Sequence, residues 1–264
     1  MKNTHTFAIC AYKESQYLEE CVKSLLNQTV KTNIILSTST PNDYIKGICN
    51  KYDIPMYINE GEKGITQDWN FAYSKAKTKY ITIAHQDDLY DEKYVENMYE
   101  YIEKSKNPLI FFTDYYEIRN GEVCKTNKLL RIKRILLFPL RFKFLWKSKF
   151  IRRRVLSMGS AICCPSVTFV KDNVPNPVFN NHFRTNEDWE AWEKISKFKG
   201  SFVFCNKPLT YHRIHEESET SATINETGRG AEDIEMFNKF WPMPIAKLIA
   251  RLYGTSEKSN DLSK

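Results

Sequence analysis

One stretch of the chain decides its fold: Tyr80-Ile81-Thr82-Ile83-Ala84-His85-Gln86-Asp87-Asp88. A short apolar run between polar, helix-like segments predicts a buried strand over residues 80–84. Open α/β sheets bind their ligands at the carboxyl ends of such strands, which is where Asp87 and Asp88 stand. Two acids in that place favour a hard cation, Mg2+ or Mn2+, that bridges nucleotide phosphates. The alternative is that the pair caps the next predicted helix, residues 91–104.

Strand and helix patterns alternate around this stretch. Strands are predicted at residues 6–10, 33–37, 55–58, 80–84 and 109–113, and helices at 14–28, 43–52, 66–77 and 91–104. Repeated units of this length predict an α/β fold with a mostly parallel sheet flanked by helices. The alternation then breaks down. We predict a turn at Asn120-Gly121, a strand or turn at 161–164, a helix at 187–197, strands at 201–205 and 209–213, and helices from Glu232 onward.

Length and composition favour one large domain. The 264 residues are 42% hydrophobic, enough for one substantial core. We divide the chain into a domain at 1–221 that contains a basic insertion at 125–155, a helical extension at 222–255 and a flexible tail at 256–264. The seven cysteines show no CxxC spacing, which predicts structural thiols in a reducing cytoplasm. No signal-peptide core and no apolar stretch of roughly 18 residues is present, so the sequence predicts a soluble or peripheral protein.

The net charge of +7 is concentrated in one segment. No acidic residue lies between Glu122 and Asp172, whereas thirteen basic ones do: Lys125, Lys128, Arg131, Lys133, Arg134, Arg141, Lys143, Lys147, Lys149, Arg152, Arg153, Arg154 and Lys171. Leucines and aromatic residues are interleaved with them. This mixture predicts an element that binds an anionic membrane surface. A nucleic-acid patch and an ordinary basic pair of surface helices remain alternatives.

Within this segment we expect membrane contacts from the rings of Phe142, Phe144, Trp146 and Phe150 and from the cations at residues 152–154. The stretch at 241–253 is a candidate second contact. The predicted location is therefore cytoplasmic and peripheral, on the inner face of the cell membrane, and nucleic acid is not an expected partner.

Two common phosphate-binding loops are missing from the sequence. Neither GxGxxG nor GxxxxGK[ST] occurs, which argues against a Rossmann dehydrogenase and a P-loop kinase. A nucleotide would have to be held by the loops after the first two strands and by a metal ion.

Six motifs in order resemble the family 2 glycosyltransferases of GT-A (Rossmann-like) fold, inverting enzymes of the bacterial surface-polysaccharide type. The motifs are Cys10-Ala11-Tyr12-Lys13-Glu14, Leu25-Leu26-Asn27-Gln28-Thr29, Gly64-Ile65-Thr66-Gln67-Asp68-Trp69-Asn70-Phe71-Ala72, Gln86-Asp87-Asp88, Asn186-Glu187-Asp188-Trp189-Glu190-Ala191-Trp192 and Tyr211-His212-Arg213-Ile214-His215. The resemblance implies transfer of a sugar from a nucleotide-diphosphate donor, with a UDP-sugar as first candidate. The acceptor would be a glycan, in particular one linked to polyprenyl diphosphate.

The resemblance also implies roles for single residues. Nucleotide contacts would come from Ala11, Tyr12, Glu14, Ser37, Thr38, Asn70, Asp87 and Arg213. Asp88 and His215 would bind the metal ion, Mn2+ or Mg2+, and Thr220 and Ser221 would close a loop over the donor. Two departures concern the second strand, which ends on Ser37 and Thr38 instead of a carboxylate, and His85, which replaces the leading Asp of many acidic motifs in the family.

The resemblance gives Asp188 the role of general base. An inverting transfer needs a carboxylate that takes the proton from the acceptor hydroxyl, and Glu187-Asp188 opens a predicted helix as in the family. The alternative is that this acid complements the helix dipole. Trp189 and Trp192 beside it would either stack on a sugar or pack the helix. Two other functions stay open: a non-catalytic binding protein on the same fold, and a nucleotidyltransferase.

Overall fold

The structure is a computed structural model that describes residues 4–215 and 229–257. Its strands are β1 His5–Ala11, β2 Asn33–Thr38, β3 Met56–Ile58, β4 Tyr80–His85, β5 Leu89–Tyr90, β6 Pro108–Arg119, β7 Glu122–Cys124, β8 Val167–Val170 and β9 Ser201–Ile214. Its α-helices are α1 Leu18–Leu26, α2 Asp43–Tyr52, α3 Ile65–Lys75, α4 Tyr94–Ile102, α5 Lys128–Leu137, α6 Lys149–Leu156, α7 Glu187–Ser196, α8 Arg229–Asn238 and α9 Met243–Glu257. The predicted α/β class is confirmed.

The strands form one sheet in the order β3-β2-β1-β4-β8-β6-β9-β5, with β7 paired to β6. The first four of these strands, β3, β2, β1 and β4, run parallel to one another. Beyond them β8 runs antiparallel to both β4 and β6, and β9 runs parallel to β6. The short β5, just after the acidic pair, runs antiparallel to β9, with Leu89 opposite Tyr211. This pairing carries the end of β9 to the end of β4.

Local sequence explains the first elements well. The apolar runs of β1 and β4 are buried almost throughout, as expected for central strands of a sheet covered on both faces. Helix α1 buries Leu18, Cys21, Val22 and Leu25, which share one helical face. Helix α2 begins where the Asn42 side chain accepts a hydrogen bond from the Ile45 N–H.

Several predicted boundaries in the second half were wrong. The two strands predicted at 201–205 and 209–213 are the single long strand β9, which the pairing with β6 holds together across register shifts near Asp114. Of the strand or turn predicted at 161–164, the strand is absent: the chain bends there into a 3-10 turn at Cys164–Ser166, and β8 begins at Val167. Helix α4 begins at Tyr94, with β5 between it and the acidic pair, so Asp87 and Asp88 do not cap it.

The basic segment folds as α5, two short 3-10 turns at Phe138–Arg141 and Lys143–Leu145, and α6. Helices α8 and α9 pack nearby, with the Phe237 ring edge-on to Trp189 at 5.0 Å. The predicted division into domains stays a prediction, and its boundary at 221 and the last residues of its tail lie outside the described chain.

All seven cysteines are free thiols, five of them buried. Across residues 4–215 and 229–257, the helices are too short or too polar for any of them to span a bilayer.

Candidate active site

The acidic pair lies at the turn between β4 and β5. Asp88 is fully buried, and its Oδ1 accepts a hydrogen bond from the backbone N–H of Arg213 at 2.8 Å and lies 3.0 Å from His212 Nδ1. Asp87 keeps some exposure. The buried acid is therefore fixed to β9, while its neighbour faces the more open side.

His85 completes a three-residue cluster with the two acids. Its ring stacks on Trp69 with centroids 5.1 Å apart, and its Nδ1 lies 3.6 Å from Asp88 Oδ2. Burial lowers the pKa of His85, which favours the neutral imidazole that metal ions require. One ligand atom each from His85, Asp87 and Asp88 lies within 4.8 Å of the others.

The remaining ring nitrogen of His85 supports a metal site. His85 Nε2 is buried and finds no hydrogen-bond partner among the described residues. A buried nitrogen without a partner is costly, and a bound cation would satisfy it. The residues present therefore fit a divalent ion held by one imidazole and carboxylate oxygens.

Arg213 on β9 and His215 just after this strand lie beside the cluster. His215 Nε2 lies 3.0 Å from Asp87 Oδ2, so the structure pairs His215 with Asp87 and His212 with Asp88. Arg213 Nε donates to the Asp87 carbonyl at 2.9 Å. Burial would raise the pKa of Asp87, but the His215 hydrogen bond and the nearby imidazoles outweigh it and lower that pKa.

The Arg213 guanidinium is held from both sides. One terminal nitrogen lies 2.7 Å from Glu20 Oε2, and the group covers the Tyr17 ring at 4.2 Å. The chain thus fixes this cation beside the acids before any phosphate binds.

The loop after β1 lies beside the same turn. Ala11 is buried and the Tyr12 side chain is about half exposed. The Gln86 amide bonds both the N–H and the carbonyl of Tyr12, each at 3.0 Å. Lys13 has a left-handed backbone, and its N–H donates to Thr40 Oγ1 at 2.6 Å. This loop presents one aromatic face, and Glu14 lies exposed at its far side.

Ser37 and Thr38 are both buried at the end of β2, and their hydroxyls bond the backbone at Ile9 and Thr40. Neither side chain lies open to a nucleotide. Another part of the chain supplies a carboxylate beside them.

Asp68, in the first turn of α3, provides this carboxylate. Its Oδ2 accepts from Ser39 Oγ at 2.6 Å and its Oδ1 from Asn59 Nδ2 at 2.7 Å. Sequence reasoning missed Asp68 as a site residue, although it belongs to the motif that begins at Gly64. The signal in the sequence was the absence of an acid after β2 together with an acid, Asp68, in the motif at 64–72.

Asn70 is occupied elsewhere. Its amide nitrogen donates to the Phe179 carbonyl at 2.8 Å and its oxygen accepts from the Phe179 N–H at 3.1 Å. The side chain joins α3 to the segment before α7, and the structure does not bring it to the acidic cluster.

Asp188 lies in the first turn of α7, where its carboxylate accepts from the Trp189 N–H at 2.5 Å. Burial raises the pKa of the Cys163 thiol, and the charge of Asp88 and, less strongly, that of Asp188 raise it further. Trp189 and Trp192 are fully buried and pack the helix. The alternative that they stack on a sugar is therefore excluded.

Helix α5 reaches the site through a residue that sequence reasoning did not single out. Lys133 Nζ donates to Tyr115 Oη at 2.9 Å, and the Tyr115 ring stands edge-on to His212 at 6.3 Å. The predicted loop residues Thr220 and Ser221 lie outside the described residues.

Comparison with known proteins identifies the family of the chain. A family model described as glycosyl transferase family 2 matches residues 6–173. Glycosyltransferase GlyG of Streptococcus pneumoniae serotype 4 is 23% identical over 237 residues, which cover 86% of this chain and 76% of that protein.

Solved structures share the fold. S. aureus TarS in complex with UDP-GlcNAc matches with a TM-score of 0.63 at 14% identity, over 94% of this chain and 70% of that one. Mannosyltransferase PcManGT from Pyrobaculum calidifontis, in complex with GDP-Man and Mn2+, matches with a TM-score of 0.63 at 11% identity, over 96% of this chain and 71% of that one.

Proposed function

The chain belongs to glycosyl transferase family 2 and is a glycosyltransferase, and we propose that it transfers a sugar from a nucleotide-diphosphate donor to a saccharide acceptor with inversion. A UDP-sugar is the first candidate donor. One observation carries the proposal: the cluster of His85, Asp87 and Asp88 at the end of β4, with the buried His85 Nε2 unpaired among the described residues.

His85, Asp87 and Asp88 would hold the metal ion. Bound there, Mn2+ or Mg2+ would neutralise charge on the donor diphosphate as the bond to the sugar breaks. Support for a nucleotide sugar and for Mn2+ comes from solved complexes of two proteins of the same fold, one with UDP-GlcNAc and one with GDP-Man and Mn2+.

The other site residues have separable tasks. Tyr12 offers a half-exposed ring against which a base can stack, and the Gln86 amide fixes its backbone. Arg213, held by Glu20 and Tyr17, places a delocalised cation beside the place of the phosphates. These contacts orient the donor without any glycine-rich loop.

Asp188 would take the proton from the acceptor hydroxyl while that oxygen attacks the anomeric carbon opposite the leaving diphosphate. Its place in the first turn of α7, where the side chain is partly exposed, supports this role because an acceptor hydroxyl can reach the carboxylate there. We further propose that the acceptor glycan is linked to a lipid diphosphate, because α5 connects the site through Lys133 to an exposed basic surface.

The test is metal-dependent donor binding. We expect one member of a panel of nucleotide sugars to raise the melting temperature, with affinity at least about tenfold higher when Mn2+ is present. Asp87→Asn should abolish the metal-dependent part. This variant is preferable to one at Asp88, whose carboxylate also holds the Arg213 backbone.

Asp172→Asn is the matched control. This exposed acid lies just beyond Val170, which pairs with Tyr80 at the amino end of β4, whereas the acidic cluster follows the carboxyl end of that strand. It should bind donor like the wild type. If no nucleotide sugar binds with either metal, or if Asp87→Asn keeps the metal dependence, the proposed donor site is wrong.

A further inference from the structure

The thirteen cations of the basic segment fall into two groups. Six are engaged within the protein: Lys133, Arg134, Arg152, Arg153, Arg154 and Lys171. Seven are exposed: Lys125, Lys128, Arg131, Arg141, Lys143, Lys147 and Lys149. Arg152 is fully buried, so its predicted contact with a membrane was wrong, whereas the contacts predicted for the partly buried Arg153 and Arg154 stay a prediction.

Arg152 shows the difference most clearly. Its side chain is fully buried, and its guanidinium donates to the carbonyls of Ser196 at 3.0 Å, Phe198 at 2.8 Å and Gly200. Arg153 lies 2.6 Å from Glu193 and also bonds the Lys239 carbonyl. These two arginines hold the segment onto the domain.

The apolar residues of the segment separate in the same way. Trp146 is buried, so its predicted insertion into a membrane was wrong. In contrast, Ile135, Phe144 and Phe150 are each about 70% exposed (71%, 70% and 70%). Large apolar side chains exposed to this degree mark an interaction surface when they cluster.

The exposed rings do cluster. The Phe142 centroid lies 5.6 Å from that of Phe138 and 6.0 Å from that of Phe144. Arg141 covers the Phe138 ring at 5.7 Å, so a cation flanks the ring group.

Helix α9 adds a second exposed apolar stripe, with Ile245 and Leu248 44% and 60% exposed and Lys247 between them. Arg154 joins the two parts, because its guanidinium lies 5.7 Å from the Phe150 ring and 4.6 Å from the Trp241 ring just before α9. We call the combined surface the basic-aromatic face. It comprises the seven exposed cations above together with Ile135, Phe138, Phe142, Phe144, Phe150, Met243, Ile245, Lys247 and Leu248.

We propose that the basic-aromatic face binds the surface of a bilayer that contains anionic lipids. Charge complementarity supports this partner, since the sequence has no acid at residues 123–171 or 236–256. Lysines among exposed rings and aliphatic side chains match a headgroup boundary, where cations meet phosphates and apolar groups enter the acyl region. Two other partners fit less well. A second copy of the chain would bring like charges together, and the phosphate backbone of RNA would leave the apolar side chains of Ile245 and Leu248 exposed to water.

The face also has a defined relation to the active site. One side of α5 exposes Ile135, and the other directs Lys133 to Tyr115, whose ring meets His212. Binding at the basic-aromatic face would therefore hold the cluster of His85, Asp87 and Asp88 near the membrane surface. The lipid interaction itself does not depend on which donor or acceptor the enzyme uses.

The test is co-flotation of the full chain with vesicles of phosphatidylcholine alone or with about 30% phosphatidylglycerol. The wild type should float with anionic vesicles, weakly or not at all with neutral ones, and be partly released by about 0.5 M salt. Reversing three exposed lysines, Lys143→Glu, Lys147→Glu and Lys149→Glu, should lower partitioning at least about 30-fold.

The charge-matched control reverses Lys77, Lys106 and Lys199, which are exposed near the amino ends of β4, β6 and β9. Because its net charge changes equally, the control should bind vesicles nearly as the wild type does. An equal loss in both triple variants would show only a general effect of net charge and would overturn the proposal.

The apolar part has its own test. Phe144→Ser with Leu248→Ser should reduce binding that survives high salt about tenfold, whereas Leu26→Ser with Ile58→Ser, two exposed residues elsewhere, should not. Absence of vesicle binding, or equal binding to neutral and anionic vesicles, contradicts the proposal. Two further results would contradict it. One is a dimer, detected by light scattering, that the Phe144 and Leu248 substitutions dissociate, and the other is binding to RNA without binding to lipid.

Discussion

The acidic cluster after β4 and the basic segment of α5 and α6 are both concentrations of charge, yet burial means opposite things in them. Buried Asp88 faces other titratable groups, and His85 beside it keeps an unpaired buried nitrogen among the described residues. Buried Arg152 faces three backbone carbonyls of its own domain. The first arrangement can still bind a ligand, whereas the terminal nitrogens of Arg152 already bond the backbone of the fold.

This difference gives a criterion for charged residues in such a chain. A buried charge that bonds mainly the backbone supports the structure, because uncharged main-chain dipoles satisfy it without a ligand. Buried charges that bond one another around an unsatisfied atom indicate a site. In the basic segment, function belongs instead to the exposed charges.

Arg152 gives a direct test of this criterion. Arg152→Met removes the donors to three carbonyls, those of Ser196, Phe198 and Gly200, and should lower the free energy of unfolding by about 3 kcal/mol or more. Lys149→Met, on the exposed side of the same helix, should change it by less than about 0.5 kcal/mol. Urea denaturation of both variants measures the difference. Similar stability losses would show that burial does not separate the two groups.

Sequence predicted the first half of the fold because local signals determine it. Apolar runs of five or six residues fix β1 and β4, and an i, i+3, i+4, i+7 pattern fixes α1. Asp87 and Asp88 were found because they stand where an apolar run stops. The confirmed α/β class follows from this alternation alone.

The second half depends on contacts that no local pattern encodes. Pairing of β5 with β9 brings His212 to Asp88 across 124 positions of sequence. Strand β9 contains Lys207 and Pro208 at a register shift. These two residues interrupt the apolar pattern of the sequence, although the strand continues past them. In the basic segment, a list of cations cannot say that Arg152 points inward.

Asp188 provides the next test, in which a partly exposed acid in a helix first turn is either catalytic or structural. Asp188→Asn keeps the size of the side chain and its bond from the Trp189 N–H but cannot accept a proton. Turnover should fall roughly 100-fold or more while donor affinity changes little. Donor affinity is measured by calorimetry, and turnover by release of the nucleoside diphosphate.

The matched control is Asp43→Asn, an exposed acid in the first turn of α2. It loses the same favourable interaction with a helix dipole, so it measures that effect without chemistry. Near-normal turnover in Asp188→Asn, with a stability loss like that of the control, would assign Asp188 to helix stabilisation.

Asp68 is a partly buried acid that differs from both Asp88 and Arg152. Its carboxylate accepts hydrogen bonds from the side chains of Ser39 and Asn59. Ser39 is followed by Thr40, whose hydroxyl binds the loop after β1 at the Lys13 N–H. We expect it to take part in the site, where its carboxylate can accept an N–H from the donor base. It would replace the acid that is missing after β2.

Asp68→Asn should therefore weaken donor binding about tenfold, since a hydrogen bond to a charged group contributes roughly 1.5–3 kcal/mol at most. The fold should tolerate the change, because the introduced amide keeps an acceptor oxygen for Asn59 and the Ser39 hydroxyl can accept as well as donate. Ser39→Ala is the control, since it removes one partner of Asp68 and leaves the carboxylate in place. Calorimetry with UDP and GDP compares the variants, and we expect Asp68→Asn alone to narrow the preference between the two bases. Unchanged affinity for both nucleotides, together with equal stability losses in Asp68→Asn and Ser39→Ala, would instead place Asp68 with Arg152 among the charges that only support the fold.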